Sequence, residues 1–404
     1  MIKIIGAGIG GLTAAITIAT RRPDEVGYFE IYEKYGNSHS LGGTITLFPN
    51  AIRVLKELEC LEDLYESGWI VDNAKFLNSK LEIVVNREIG NILRYGENTV
   101  AIRRNSLQEI LLKKLRSLGK DVVFNSNYKI DHNHDFLNET RLLIADGSGS
   151  PNRLLIDPKF NREFQGIIYY GGYINCNNEF LNKIRKTFYL ENFNQTIILN
   201  NSSFIGISAF KNEKNKIGLH WYTYINAKKS LEKSIIEKMR SEIDCSSVLL
   251  THSNLNSLIT EMILKTNDLV VSNIYETVPN NNCISRNFLF IGDAAHNINP
   301  LSGQGAGMAI EDAFIYSLIM SRNNRENIDI DLKKIYQERK KRVLKIQSKS
   351  RRSSKLSRVS FSNHIINIRN KIFMLLNIII PNKLKNYTFY YNCYDELKKL
   401  GIKL

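Results

Sequence analysis

Apolar residues recur along this chain in two rhythms. In the first third, short strand-like runs alternate with helix-like spacing. Ile2-Lys3-Ile4-Ile5 reads as a strand, and Leu12, Ala14, Ala15 and Ile18 after it repeat at helical intervals. Tyr28-Phe29-Glu30-Ile31-Tyr32 reads as a second strand, and Val54, Leu55 and Leu58 mark an amphipathic helix. Val122-Val123-Phe124 and Leu142-Leu143-Ile144 are two further strands. From about 166 to 226 the rhythm changes. Strand-like runs at 167–170, 187–190, 196–199, 204–207 and 217–222 are separated by Asn-, Gly- and Lys-rich turns, which predicts a mostly antiparallel sheet. Segments 232–243 and 257–266 are helix-like. Phe288-Leu289-Phe290-Ile291 is a buried strand and Ala309-Ile310-Glu311-Asp312-Ala313-Phe314 a helix. The expected class is α/β: a parallel layer interleaved with a mostly antiparallel sheet, closed by long C-terminal helices.

Glycines punctuate this pattern where backbone must come close to something. Gly6-Ala7-Gly8-Ile9-Gly10-Gly11 sits between the first strand and its helix, and an acid, Glu33 (with Lys34 beside it), ends the second strand. Glycines at 6, 8 and 11 suit a tight turn, the approach of a pyrophosphate and helix–strand packing, while the acid suits ribose hydroxyls. Glu33 points to an adenosine ribose without a 2′-phosphate, as in FAD or NAD. A second glycine-rich stretch, Gly292-Asp293-Ala294-Ala295-His296 through Pro300 to Gly303-Gln304-Gly305-Ala306-Gly307, again joins a strand to a helix N-terminus. Such an N-terminus favours an anionic or electron-rich group.

Composition changes little. With 404 residues the chain suits two interleaved domains, and 43% hydrophobic and 24% charged residues are ordinary for a globular protein. The formal charge of +15 is concentrated: between 333 and 358 there are twelve Lys or Arg residues against Glu338 alone. A solvated helix face accounts for this, and no nucleic-acid-binding motif accompanies it, so no specific nucleic-acid partner is expected. Five scattered cysteines without a CxxC pair suggest neither a disulfide framework nor a metal site. The chain opens directly on a strand rather than a signal peptide, and no apolar run approaches the roughly 20 residues of a membrane span. A cytoplasmic monomer or homodimer is expected.

These motifs resemble those of the FAD-dependent aromatic hydroxylases, the single-component flavoprotein monooxygenases, in their salicylate-hydroxylase-like, urate-hydroxylase-like and zeaxanthin-epoxidase-like branch. Asp146-Gly147-Ser148-Gly149-Ser150-Pro151-Asn152-Arg153 is similar to that family's D-G-x-x-S-x-x-R signature, and Tyr336-Gln337-Glu338-Arg339 to its long helix after the second flavin motif. The resemblance implies a Rossmann-type FAD-binding domain (1–165 and 285–330), a β-sheet substrate domain (166–284) and a C-terminal helical segment (331–404). By position it implies FAD contacts at Gly6, Gly8, Gly10, Gly11, Glu33, Lys34, Thr46, Arg104, Tyr128, Asp146, Asp293, Gly303, Gln304, Gly305, Ala306 and Gly307. Thr46 follows Leu41-Gly42-Gly43 in the segment passing the flavin ring. Arg104 opens a helix and its guanidinium can bind two phosphate oxygens at once. Arg153 is either an anchor of its turn or a pyridine-nucleotide contact.

The activity implied is monooxygenation with NADPH or NADH as co-substrate and O2. The nicotinamide reduces the flavin, O2 adds as a C4a-hydroperoxide, and an oxygen passes to an electron-rich small molecule, with an aromatic ring as the expected substrate because the hydroperoxide is electrophilic. Pro300 is expected near the flavin's reactive edge. Tyr222 and His220 are the candidate catalytic side chains of the middle sheet, with Tyr170 and Asn175 as further pocket candidates, although no side chain is assignable as a base. His296 fits a structural hydrogen bond better. No metal is called for. Alternatives are an epoxidase of the same fold or a flavin-containing protein that binds a ligand without oxidising it. A flavin halogenase would carry Trp-x-Trp-x-Ile-Pro, and the tryptophans here are Trp69 and Trp221 alone. The apolar tail over 365–381 is expected to pack across the pocket rather than to lie on a membrane.

Overall fold

The computed structural model describes the chain apart from residues 26, 37–42, 131–139, 192–193, 201–202, 212–215, 253–255, 324–325, 359–362, 381–383 and 385, and apart from the side chains of 353–358 and 363–367. Leu41 and Gly42 therefore lie outside the described residues. The chain opens with β1 (Ile2–Ile5), α1 (Ile9–Arg21) and β2 (Phe29–Tyr32), followed by β3 (Thr44–Leu47), α2 (Pro49–Glu57) and α3 (Leu61–Ser67). Next come β4 (Trp69–Ile70), β5 (Asn73–Leu77), β6 (Ile83–Glu88), α4 (Ile92–Tyr95), β7 (Val100–Arg103), α5 (Arg104–Ser117), β8 (Arg141–Ile144) and α6 (Pro151–Ile156). The middle contains β9 (Glu163–Ile174), α7 (Asn178–Thr187), β10 (Asn194–Leu199), β11 (Phe204–Lys211), β12 (Ile217–Asn226), α8 (Lys233–Ser241), α9 (Ser246–Thr251), α10 (Ser257–Leu264) and β13 (Asp268–Glu276). The last part holds β14 (Phe288–Phe290), α11 (Asp293–His296), α12 (Gly305–Met320), α13 (Ile328–Arg358), α14 (Asn363–Ile379) and α15 (Cys393–Lys399).

Three sheets result. A parallel sheet in the order β14-β8-β1-β2 is buried, as its near-continuous Ile, Leu and Phe runs require. The helix α1 packs against α12 through small residues: a Cβ on Gly10 would sit 3.6 Å from the Ala309 Cβ. A small antiparallel sheet runs β3-β7-β4, and a seven-stranded sheet runs β13-β9-β12-β11-β10-β5-β6. Of the pairings in the large sheet only β5 with β10 is parallel.

The large sheet sorts its residues by alternation. Tyr170, Trp221, Ile205 and Ile207 point into a core shared with α7, α9 and α10, where the Trp221 Nε1 donates to Thr266 Oγ1 at 2.9 Å. Tyr169, His220, Tyr222 and Tyr224 point the other way, into a cleft against the parallel layer.

Four expectations change. The run 187–190 is not a strand. Asn177 accepts a hydrogen bond from the Phe180 amide as an N-cap, and Phe180, Leu181, Ile184 and Phe188 form one helical face, so α7 occupies the segment until Tyr189 ends it at φ +53°. Val122-Val123-Phe124 reduces to a single parallel bridge between Val123 and Tyr32, because the chain turns at Asn125 (φ +54°). The strands β5 and β6, inside the first 165 residues, belong to the large sheet. The helix expected from Ala309 begins at Gly305.

Candidate active site

One cleft of about 460 Å³ brings the glycine loops, the second glycine-rich stretch and the aromatic strand face together. At one end, Gly6 takes φ +99°, a conformation that excludes a side chain, and a Cβ on Gly11 would collide with the Gly6 carbonyl at 1.8 Å. The loop is therefore pressed against its own helix. A Cβ at Gly8, by contrast, would meet nothing within 4 Å and would project into the space the helix N-terminus faces. No side chain caps that end of α1. Glu33 Oε2 accepts from the Ala7 amide at 2.9 Å and Gln108 Nε2 donates to the Ala7 carbonyl at 2.8 Å, so the loop is clamped from both sides. Arg104, first in α5, lines the cleft, and its guanidinium has no ion pair among the described residues.

The second glycine-rich stretch is held from behind. Gly292 (φ +54°) ends the buried strand, and Asp293 opens α11 facing the cleft, with no hydrogen bond to its carboxylate among the described residues. Arg153 is fully buried, its Nη1 donating to the carbonyls of Ala294 (2.8 Å) and Ala295 (2.5 Å) while its guanidinium stacks on Phe160. Arg153 is thus the anchor of the turn, and burial removes it as a pyridine-nucleotide contact. Asp146 likewise accepts from the Asn152 side-chain amide at 3.0 Å and ties the turn together; burial raises its pKa.

Behind Asp293 lies a buried charge cluster. Asp312 accepts from the Gly292 amide (3.2 Å), His296 Nε2 (2.5 Å) and Arg339 Nε (2.8 Å). Glu311 accepts from Asn50 Nδ2 (2.6 Å), Arg342 and Arg339. Burial alone pushes the Asp312 carboxyl up, but Arg339 and His296 outweigh it and hold it at about 2. His296 therefore serves structure, as expected.

The opposite wall is aromatic. Tyr169, Tyr222 and Tyr224 line it with His220; the Tyr222 ring lies stacked beside Tyr169 (6.5 Å) and His220 (5.7 Å). Gly206 on β11 makes room, since a Cβ there would stand 2.2 Å from the Tyr222 ring. His220 Nε2 lies 3.3 Å from the Tyr169 hydroxyl. Burial, reinforced by Arg103, lowers the His220 pKa to about 3, and burial pushes the Tyr222 phenol up to about 12. Both are neutral near pH 7. His220 is thus a neutral hydrogen-bonding group of the wall rather than a strong base.

Pro300, Thr46, Gly303, Gly305 and Ala306 also line the cleft, and a Cβ on Gly305 would meet nothing within 4 Å. Gln304 instead turns its side chain inward to Asn50 and Thr388, and Gly307 packs 3.2 Å (as a Cβ) from Asn50. Lys34 is exposed over the Tyr35 ring, and Tyr128 accepts from Lys3 Nζ at 2.7 Å beside Tyr32, both outside the cleft lining. Tyr170 faces the core and Asn175 is exposed at the end of β9, so neither belongs to the pocket.

No family profile matches the chain. Curated relatives do. The FAD-dependent urate hydroxylase of Mycolicibacterium vanbaalenii is 21% identical over 332 residues, 77% of either chain. The FAD-dependent monooxygenase ntnA of Nectria sp is 24% identical over 366 residues, 80% of this chain; the match spans 45% of ntnA, under half its length. Among solved structures, CtdE in complex with FAD and a substrate superposes with a TM-score of 0.76 at 20% identity (99% and 98% of the chains), and a salicylate hydroxylase substrate complex with 0.75 at 15% (100% and 98%). The chain is thus similar to FAD-dependent monooxygenases in sequence over most of its length and to FAD-binding hydroxylases in fold.

Against this flavin-monooxygenase frame, one functional candidate escaped the sequence. Arg240, from α8, lines the aromatic end of the cleft; its Nη2 donates to the Val271 carbonyl and its Nε is buried without a partner. Burial lowers its pKa against the pull of Glu237 and Asp268. Asp293 is the sole carboxylate among the described lining residues, and Arg240 forms no ion pair among the described residues, Glu237 and Asp268 acting on it only from a distance. A Lys- and Arg-rich helix gives no sequence signal to single out one cation.

Proposed function

We propose that the chain is an FAD-dependent monooxygenase that uses NADH or NADPH and O2 to hydroxylate a planar, electron-rich aromatic molecule bearing an anionic group. The observation carrying this is the single cleft that joins two uncapped helix N-termini and Asp293 to an aromatic wall with an unpaired Arg240. The residues fit FAD: the space over Gly8 and Gly305 is open, Arg104 and the α1 N-terminus favour a pyrophosphate, and Asp293 and Glu33 offer carboxylates to sugar hydroxyls. Bound there, FAD supplies the redox chemistry linking nicotinamide oxidation to O2.

The chain's own contributions follow. The N-terminus of α12 presents positive potential to the cleft, where it would stabilise negative charge on a bound flavin. Tyr169, Tyr222 and Tyr224 receive the ring by stacking, and with Pro300 they keep water away. Neutral His220 and Tyr222 hold their protons and orient the ring by hydrogen bonds, while Arg240 takes the anionic group. Urate is the substrate named for one relative, and uric acid occupies the FAD complex of Klebsiella pneumoniae HpxO, itself similar in fold (TM-score 0.72, 16% identity). Urate and uric acid are one flat ring system in two protonation states, of the expected kind.

The test is NAD(P)H consumption by the FAD-loaded enzyme across hydroxybenzoates, purines and hydroxyquinolines. Acceleration by a ring anion, with oxygen from O2 in the product, is the expected result. A flavin-loaded protein that binds such rings without any acceleration would instead be a ligand-binding protein.

A further inference from the structure

The tail helix α14 does not bury the face that its sequence offers. It packs on β6 and β5 through Phe373, whose ring meets Phe76 edge-to-face at 5.2 Å, through Asn370, which is buried, and through Asn377, whose amide donates to the Asn86 carbonyl at 3.4 Å. Ile368, Ile372, Leu375 and Ile379 fall on the opposite side, spaced by four, three and four residues, so they form one stripe. Leu376 and Ile378 flank it. All six are exposed, from 45% at Leu376 to 74% at Ile378. A contiguous patch of this kind marks an interaction site.

Charge says what kind. From 339 to 394 the sequence holds fourteen Lys or Arg residues and no Asp or Glu. Arg339 and Arg342 are spent on Glu311, and Arg351 on Glu276. Lys371 is exposed beside the stripe, and Lys345 and Arg352 stand on α13 without an ion pair among the described residues. An exposed aliphatic stripe beside Lys371, in a segment rich in Lys and Arg and free of acids, is the pattern of a helix lying in the headgroup layer of an anionic bilayer. A second copy of the chain is disfavoured, because pairing stripe to stripe would bring two acid-free cationic segments together.

We propose that α14 docks the enzyme on anionic lipid surfaces, with Ile368, Ile372, Leu375 and Ile379 entering the acyl boundary and the surrounding Lys and Arg residues meeting the headgroups. The helix lies on the membrane and does not cross it; among the described residues no helix is long and apolar enough to span one. This docking is independent of the reaction proposed above.

Flotation of the FAD-loaded full chain with vesicles tests it, using pure phosphatidylcholine and phosphatidylcholine mixed with phosphatidylserine. The wild type floats with the phosphatidylserine vesicles and not with pure phosphatidylcholine, and salt weakens the binding. Ile372→Glu/Leu375→Glu lowers the partition by about tenfold or more, with flavin content and melting temperature as in the wild type. Ile372→Leu keeps wild-type binding. Absence of flotation with either vesicle overturns the proposal, as does a double variant that binds like the wild type. So does a dimer in solution that the double variant splits, which would assign the stripe to a second copy.

Discussion

A half-buried guanidinium at a cavity wall, with no carboxylate in direct contact, loses hydration that more distant acids only partly offset. Arg240 is in that position, and a bound anion resolves it. Arg240→Gln should raise KM for a ring carboxylate by about tenfold or more while changing kcat less; steady-state kinetics on an acid and its neutral amide separate the two, and equal losses for both would remove the anion site. His220 makes the opposite kind of statement. Its folded pKa of about 3 lies below the ordinary 6.5, so the neutral ring is favoured, and the stability it contributes is present above pH 6.5 and lost as pH falls through that window toward 3. His220→Asn should therefore leave the shape of the pH–rate profile between pH 5 and 8 unchanged; a limb near 6.5 that vanishes in the variant would show that His220 titrates there. Single residues were unevenly legible. Gly6 and Gly11 are set by backbone geometry, which spacing encodes, and Gly8 by the open space it faces. Tyr170 and Tyr169 differ only in strand phase, and nothing in the local sequence says which face of β9 meets the cleft.

At the scale of elements, α12 and α13 are joined by the Glu311–Asp312–Arg339 cluster, which also fixes Gly292 behind Asp293. Arg339→Met strands two buried carboxylates and should cost about 3–5 kcal/mol, read as a fall in unfolding free energy; a loss under 1 kcal/mol would class the cluster as no more than a surface pair. Asp312 has a folded value of about 2 against an ordinary 3.8, so the stability it adds is present above pH 3.8 and lost as pH falls toward 2. Asp312→Asn should flatten acid unfolding over that window. Sequence period captured the elements that are amphipathic or buried on both faces, such as β1, α2 and α12. It failed at 187–190, where four apolar residues serve a helix end as readily as a strand. The capping Asn177, ten residues earlier, carried the missing information.

The whole molecule interleaves its two layers more deeply than a linear reading allows. The strands β5 and β6 leave the first segment to complete the large sheet, because β10 finds its parallel partner in β5 rather than in a sequence neighbour. Long-range pairing of that kind has no local signature. The C-terminal tail illustrates the same limit: its apolar content reads as packing, yet Phe373 alone of its large apolar side chains is seen in a ring contact, with Phe76, and the aliphatic stripe is left outside. What was legible at this scale is the pair of glycine-rich strand–helix junctions, whose convergence on one cleft suits a long cofactor anchored at both ends. The glycine at position 8 tests that convergence: Gly8→Val fills the open space at the α1 N-terminus and should yield a folded protein with little or no bound FAD, whereas full flavin occupancy would refute the loop's assignment. The most direct measurement is the visible spectrum of the purified FAD-loaded chain, taken anaerobically before and after NADPH or NADH with a ring anion present, and again after O2 is admitted. The flavin band should bleach with the nicotinamide and return with O2. A chain that takes up no FAD, or whose bound flavin no nicotinamide reduces with any ring anion present, would contradict a monooxygenase.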